Sequence, residues 1–373
     1  MRKESKRRTR LRGLTVSNIG LTPFLLLLLF PVHLKADEHD FKVDTSNTFS
    51  VVEKKAVFNK YEGTLSDKKP DSARETFPGQ KIFIRPTSEW GCEIVYDGSP
   101  LKGKYSGVDE LVFSPDHKVA LAYGHNFPLK SRIHLIDDQG QIYKDVDFLD
   151  ASSLMVKTFD QGFIVLYQKK GPVNSPGWYV RLAKFDYSGN ELWQKDFTDG
   201  EYRSYTKHRI SVCLNGHFIV FSLEKKNGNG KEGFTYLLDG DGSVLDKLDS
   251  QYESVLSNDN ETALLATRKN LRIINIKNKT LYFKRDLDND SKKVFLFGDS
   301  DQADKVVLTY GDGQHLDEIL AVDLKNKKMI RFDAGSKDYG FTEFFYLGSE
   351  NKIVHRLHNP KDYYACESID LEK

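Results

Sequence analysis

The sequence predicts an all-β fold: a seven-bladed β-propeller of four-stranded antiparallel blades, six if the first copy is incomplete, following an N-terminal leader. Three observations lead there. Alanine is scarce, with thirteen residues, against 18 Tyr and 24 Phe, a balance that favours strands over helices. No stretch beyond the leader sustains a 3.6-residue apolar period, so essentially no helix is expected there. A single turn pattern also recurs through the body at intervals near 45 residues.

In that pattern an apolar strand ends in Asp or Asn, Gly or a polar turn residue follows, and a new strand begins. It reads Leu135-Ile136-Asp137-Asp138-Gln139-Gly140, Lys184-Phe185-Asp186-Tyr187-Ser188-Gly189 and Leu238-Asp239-Gly240-Asp241-Gly242. It continues as Ile274-Asn275-Ile276-Lys277-Asn278 and Val322-Asp323-Leu324-Lys325-Asn326, with a looser first copy at Asp97 and a last at Asp370. The intervals between markers are 40, 49, 53, 36, 48 and 47 residues. Asp or Asn suits the opening of such a turn because its side chain accepts hydrogen bonds from the turn's own amides, and Gly relieves positive φ. Between markers the chain reads as short strands: 110–114, 119–123, 132–137 and 141–148 in the second copy, and 154–159, 163–168, 179–186 and 191–197 in the third. Four strands per unit of this length is the arithmetic of a propeller blade. The chain stops after a third strand, so residues 48–52 and 56–58 are nominated to close the ring from the N-terminal side and remove exposed sheet edges.

Asp186-x-x-Gly189-x-x-x-Trp193 resembles the blade ending of PQQ-like quinoprotein propellers. Ser114-Pro115-Asp116-His117-Lys118 resembles the corresponding turn of WD-repeat and related bacterial propellers. The resemblance spans roughly residues 80–373 and implies the superfamily without an activity. Quinoproteins carry aligned tryptophans, and of Trp90, Trp178 and Trp193 only the last is in register, so no quinone, and no cofactor at all, is expected.

The N-terminus carries Arg2, Lys3, Lys6, Arg7, Arg8, Arg10 and Arg12, then the apolar run Phe24-Leu25-Leu26-Leu27-Leu28-Leu29-Phe30, then Ala36 before a polar stretch. Basic, apolar, then small and polar is the layout of a secretory signal. The expected organisation is a signal peptide or anchor over 1–36, a polar segment with the ring-closing strand over 37–79, and the propeller over 80–373. The folded part then lies outside the cytoplasm, secreted or in the cell envelope. Membrane contact is expected only through residues 14–34 if the leader is retained. The formal charge of +1 divides into a basic leader and a body with 47 basic and 53 acidic residues. That mildly acidic body argues against nucleic acid as a partner. Three cysteines are too few for a disulfide framework, and Cys92 and Cys366 read as unpaired buried thiols.

No common catalytic signature is present. Gly228-Asn229-Gly230-Lys231-Glu232-Gly233 matches a dinucleotide fingerprint but precedes a strand, and reads as a flexible loop. Asp286-x-Asp288-x-Asp290, Asp299-x-Asp301-x-x-Asp304 and Asp239-x-Asp241-x-Ser243 have the spacing of calcium loops without a completing acid. They read as solvated turns, with calcium or another divalent metal as the alternative. Connections between second and third strands are the long ones (124–131, 169–177, 224–233, 311–317 and 358–362), together with 198–208. In an alternating blade they emerge on one face, which gathers His125, Trp178, Glu201, Arg203, Tyr205, His208, Asp312, His315, Asp317 and His358. Loops vary on a rigid scaffold, so that face is the expected ligand site. The reading is a non-catalytic, monomeric propeller that binds a protein or glycan partner there. Its alternative is a propeller enzyme, a hydrolase or lyase working through a His/carboxylate pair at the channel mouth.

Overall fold

The chain from His39 to Lys373 forms one compact unit. The computed structural model describes residues 41–43, 49–56, 59–60, 73–77, 80–86, 92–101, 110–123, 130–149, 151–170, 178–197, 209–227, 230–267, 270–286, 293–297, 304–311, 315–338, 343–347, 352–357 and 365–370.

In chain order, Lys42–Val43 (β1), Ser50–Lys55 (β2) and Asn59–Lys60 (β3) come first. Sheet 1 is Ala73–Phe77 (β4), Gln80–Pro86 (β5), Cys92–Tyr96 (β6) and Ser99–Pro100 (β7). Sheet 2 is Glu110–Phe113 (β8), Val119–Tyr123 (β9), Lys130–Asp137 (β10) and Ile142–Leu149 (β11). Sheet 3 is Ala151–Phe159 (β12), Gly162–Lys170 (β13), Trp178–Asp186 (β14) and Glu191–Phe197 (β15). Sheet 4 is Arg209–Val212 (β16), Phe218–Asn227 (β17), Gly230–Asp239 (β18) and Val244–Leu248 (β19). Sheet 5 is Glu253–Leu256 (β20), Thr262–Ala266 (β21), Asn270–Asn275 (β22) and Thr280–Asp286 (β23). Sheet 6 is Lys293–Phe297 (β24), Lys305–Gly311 (β25), His315–Asp323 (β26) and Lys328–Asp338 (β27). Sheet 7 is Glu343–Leu347 (β28), Lys352–Leu357 (β29) and Ala365–Asp370 (β30), with β3 as its fourth strand.

Seven sheets in sequence, each antiparallel through its own four strands, make the predicted seven-bladed propeller. There is no helix among the described residues. The first strands of successive sheets touch (β8 with β12, β12 with β16, β16 with β20, β24 with β28), so they lie innermost. Each turn marker sits where the repeat put it. Asp137, Asp186, Asp239, Asn275, Asp323 and Asp370 are the last residues of third strands, and Asp97 directly follows one.

The core is divided into layers between blades. Leu121, Tyr123, Ile133 and Leu135 of sheet 2 pack against Leu154, Val156, Phe163 and Val165 of sheet 3. Ile164, Leu166 and Leu182 on the other side of sheet 3 pack against Ile219, Phe221 and Leu223 of sheet 4. Similar layers join sheets 1 and 2, 4 and 5, and 5 and 6. This explains the unbroken apolar run Phe163-Ile164-Val165-Leu166-Tyr167: a central blade strand has a neighbour on both faces, so its odd and even residues are buried in different layers.

The N-terminal segment runs outside three blades. β1 pairs in parallel with β23, the outer strand of sheet 5, and β2 pairs in parallel with β27, the outer strand of sheet 6. β3 then pairs antiparallel with β30 and supplies the fourth strand of sheet 7. Of the two stretches nominated for closure, 48–52 overlaps the fifth strand of sheet 6; the strand added to sheet 7 is Asn59–Lys60, directly after 56–58, of which Val57 and Phe58 lie outside the described residues. Phe41 lies partly buried in the layer between sheets 4 and 5, and Phe49 is buried in the layer between sheets 5 and 6. Two aromatic residues eight apart thus plug successive grooves.

Candidate functional site

On one face of the propeller lie the turns between first and second and between third and fourth strands. Their polar groups are largely taken up internally. The Asp137 carboxylate accepts from the amides of Gln139 and Gln141 at 3.0 and 2.7 Å, and Asp239 from those of Asp241 and Ser243 at 3.1 and 2.8 Å. Asp186 accepts from the Asn190 amide at 2.9 Å, and Asn275 from that of Asn278 at 2.8 Å. These bonds are the ones the turn residues were expected to make, and in the Asp239-x-Asp241-x-Ser243 stretch they engage the first carboxylate of the calcium-like spacing.

Successive blades are also stitched together on this face. Tyr96 donates to the Asp138 carbonyl at 2.6 Å, Tyr143 to that of Tyr187 at 2.7 Å, and Trp193 Nε1 to that of Gly240 at 2.8 Å. The Trp193 ring covers Gly242 at φ +81°, and Tyr96 covers Gly140 at φ +74°. Trp193, in register in the sequence, is therefore a clamp between sheets 3 and 4.

On the opposite face the second-to-third-strand hairpins rise to unequal heights. The β17–β18 ladder runs ten rungs, from Phe218↔Asp239 to Asn227↔Gly230, and the β13–β14 ladder nine, from Gly162↔Asp186 to Lys170↔Trp178. The β21–β22 ladder has five. The paired stretch of the sheet 4 hairpin is thus the longer by several residues, at about 3.4 Å each. This corrects the sequence reading of Gly228–Gly233 as a flexible loop: Gly230 through Gly233 belong to β18, because main-chain pairing extends a hairpin whatever its side chains. Likewise Lys169 and Lys170, Glu224 to Asn227, and His315 to Asp317 are strand residues, so the expected long connections are shorter than they read.

The predicted site residues fare unevenly. Trp178 opens β14 opposite Lys170, and His315 opens β26 opposite Asp338, both at the expected face. Asp317 lies two residues beyond His315 on the same strand. Trp178 and His315 belong to sheets 3 and 6, with sheets 4 and 5 between them in chain order. His125, Glu201, Arg203, Tyr205, His208, Asp312 and His358 lie outside the described residues.

The polar centres that sequence reasoning missed are buried between blades. Glu318 is 6 % exposed and faces the layer between sheets 5 and 6. Arg285 of β23 meets it with two guanidinium bonds, at 2.5 and 2.9 Å, and Arg331 of β27 with a third at 2.9 Å. Arg331 also reaches Glu53 of β2 at 2.9 Å. The Tyr310 hydroxyl lies buried across the strand pair from Glu318. Its pKa is raised, first by burial and then by the Glu318 charge, with Arg285 opposing. The signal was present: Leu316-x-Glu318-x-Leu320-x-Val322 sets a carboxylate on the core-facing side of an alternating strand.

Two further centres stand out. His134 is buried, and its Nδ1 lies 2.7 Å from Asp145 Oδ1 while Arg132 also pairs with Asp145 at 3.1 Å. Gln168 is fully buried near the end of the β13–β14 hairpin, and both its amide atoms lack a hydrogen-bond partner among the described residues. Its strand neighbours Ile164 and Leu166 face sheet 4, which sets Gln168 towards the same cleft. Among the described residues no three His, Cys, Asp or Glu side chains come together as a metal site.

No family model matches the chain, and no curated protein matches it either. Three solved structures with a similar course of chain are distant in sequence. The β-propeller domain of the Trilobed protease from Pyrococcus furiosus, which is described as having an open velcro topology, has 12% identity and a TM-score of 0.44, covering 87% of this chain and 95% of that one. Hsv2 from Kluyveromyces lactis has 10% identity and a TM-score of 0.42, covering 78% and 94%. Prolyl oligopeptidase B from Galerina marginata has 11% identity and a TM-score of 0.46, and the match covers 79% of this chain but 49% of that enzyme. The propeller assignment stands on the strand pairing and the layered core.

Proposed function

We propose that this chain is an exported, non-catalytic β-propeller that binds a protein or glycan partner through the face of its second-to-third-strand hairpins. The observation that carries the reading is the pair of raised hairpins on sheets 3 and 4, which turn that face into a stepped, asymmetric surface on a rigid ring. The opposite face supports the same choice, because its turn carboxylates and carbonyls are occupied by neighbouring amides and side chains. Gln168, with an unmatched amide beneath the raised hairpins, adds a polar group that a ligand or water can satisfy. The leader in the sequence supports export. Replacing residues 224–233 by a two-residue Asn-Gly turn shortens the sheet 4 hairpin and leaves the rungs nearer the core in place. Glycan-array binding and cross-linking to extracytoplasmic proteins are then compared with the unaltered chain. Loss of the captured partner with unchanged thermal unfolding is expected, and undiminished capture would move the site off this face.

A second reading, an enzyme using a His/carboxylate pair, draws on buried His134 and the exposed Asp145 hydrogen-bonded to it. An activity abolished by His134→Ala, with partner capture intact, would favour it.

A further inference from the structure

The third-to-fourth-strand turns differ in charge around the ring. In sheets 2 to 4 they read Asp137-Asp138-Gln139-Gly140, Asp186-Tyr187-Ser188-Gly189 and Asp239-Gly240-Asp241-Gly242, with five aspartates and no basic residue. In sheets 5 and 6 they read Asn275-Ile276-Lys277-Asn278-Lys279 and Asp323-Leu324-Lys325-Asn326-Lys327-Lys328, with five lysines and one aspartate. The backbone marks the same change. Gly140, Gly189 and Gly242 take positive φ in their turns, while Lys279 and Lys327 take it in theirs, at +49° and +51°. A β-carbon is disfavoured there, so these turns hold lysine against a local conformational cost.

Lys277, Lys279, Lys325 and Lys328 are all exposed. Lys277 pairs with Glu261 at 2.6 Å, and Lys279 reaches the Leu245 carbonyl at 3.0 Å. Lys327 lies over the Tyr282 ring at 4.6 Å. Apolar side chains border the lysines: Val244 opens β19 beside this rim and is 42% exposed, and Val51 and Val52 near the start of β2 are 46% and 40% exposed. The two outer strands of the N-terminal segment also start here. Lys42 pairs with Thr280 and Ser50 with Lys328, so both outer strands start at the turn face, and Phe41 sits in the adjoining groove. Six residues separate Phe41 from Leu34, where the sequence's apolar leader region ends.

We propose that this basic rim of sheets 5 and 6 seats the propeller on an anionic phospholipid surface, with the hairpin face turned away from the bilayer. Lysines bordered by exposed valines fit a lipid interface, where headgroup charge and shallow apolar contact coincide; a soluble polyanion uses the charge alone. The partner face of the preceding section is left free, though the inference does not depend on it.

The test uses the full chain reconstituted into vesicles of phosphatidylglycerol or of phosphatidylcholine, each containing a nitroxide-labelled lipid. An environment-sensitive fluorophore is attached at Asn326→Cys on the rim, or at Glu232→Cys on the hairpin face, in separate preparations. The expected result is quenching at position 326 several-fold above that at 232, in the anionic vesicles only. Lys277→Gln, Lys325→Gln and Lys328→Gln together should weaken the anionic-vesicle effect by about two orders of magnitude in affinity, with the unfolding temperature as the check on folding. Equal quenching at the two positions, or equal effects in the two lipids, would overturn the proposal. So would protection of position 326 by a soluble polyphosphate with no quenching on vesicles.

Discussion

Arg285, on the outer strand of the fifth sheet, and Glu318, on the third strand of the sixth, share two hydrogen bonds across the groove between their blades. Arg331 completes the pairing and passes it on to Glu53 of the N-terminal segment, so one buried carboxylate ties together two blades and the strand laid over them. Breaking a buried pair costs more than its formation contributes, because the remaining charge is left without compensation. The double variant Arg285→Ala/Arg331→Ala should lose about 3–5 kcal/mol, read as a lower urea midpoint, and Glu318→Leu on that background should recover part of the loss. A loss no larger than that of an exposed pair would show that water reaches Glu318.

The N-terminal segment should behave as part of the core. Phe49 is buried between sheets 5 and 6 against Phe283, with ring centroids 6.3 Å apart. Phe49→Ala should cost about 3–5 kcal/mol and increase hydrogen exchange in β2 and β27 while leaving sheet 3 protected. Uniform exchange throughout the ring would mean that the segment is not stabilising locally.

Gly140 illustrates how tightly the turn belt is packed. A β-carbon there would stand 2.5 Å from the Tyr96 ring, on a backbone at φ +74°. Gly140→Ala should destabilise the chain by about 2–4 kcal/mol, combining the left-handed penalty with overpacking. Tyr96→Leu in the same chain should relieve the second component, as seen in a thermal-unfolding cycle of the two substitutions.

The turn acids set the response to low pH. Asp116 is held below the usual carboxylate range, chiefly by the Ser114 hydroxyl. For Asp259 and Asp186 burial acts upward but is outweighed: at Asp259 by the Ser257 and Thr262 hydroxyls with the amides of Glu261 and Thr262, at Asp186 by the backbone and side chain of Asn190. Carboxylates lowered on folding contribute stability that is complete above the unfolded value near 4 and is lost as the pH falls through the folded ones. Urea midpoints should therefore drop below about pH 4, and Asp186→Asn/Asp259→Asn should start lower at pH 7 and fall less steeply with acid.

Cys213 should be inert in the folded chain. It is fully buried, its Sγ lies 3.4 Å from the Asn260 carbonyl, and burial pushes the thiol up to about 12. A thiol reagent at pH 8 should modify it only on the timescale of unfolding, so a fast reaction assigned to Cys213 by peptide mapping would contradict the packing.

By itself the sequence determined the repeat and its period. A turn that must satisfy its own amides demands Asp or Asn at its start and commonly Gly at its positive-φ position, so Asp137, Asp186 and Asp239 were legible as the ends of third strands from local chemistry alone. Apolar runs such as Phe163-Ile164-Val165-Leu166-Tyr167 were legible as strands for the same reason. Only the tertiary structure decided what depends on neighbours in other strands and other blades. The Trp193 clamp on Gly242, the reach of Arg285 to Glu318 from the neighbouring blade, the bond from Arg331 to Glu53, and the passage of the N-terminal segment across sheets 5 and 6 are contacts with no spacing rule along the chain. Hairpin height was undecided too, because main-chain pairing carried Gly230 to Gly233 into a strand that their side chains did not announce.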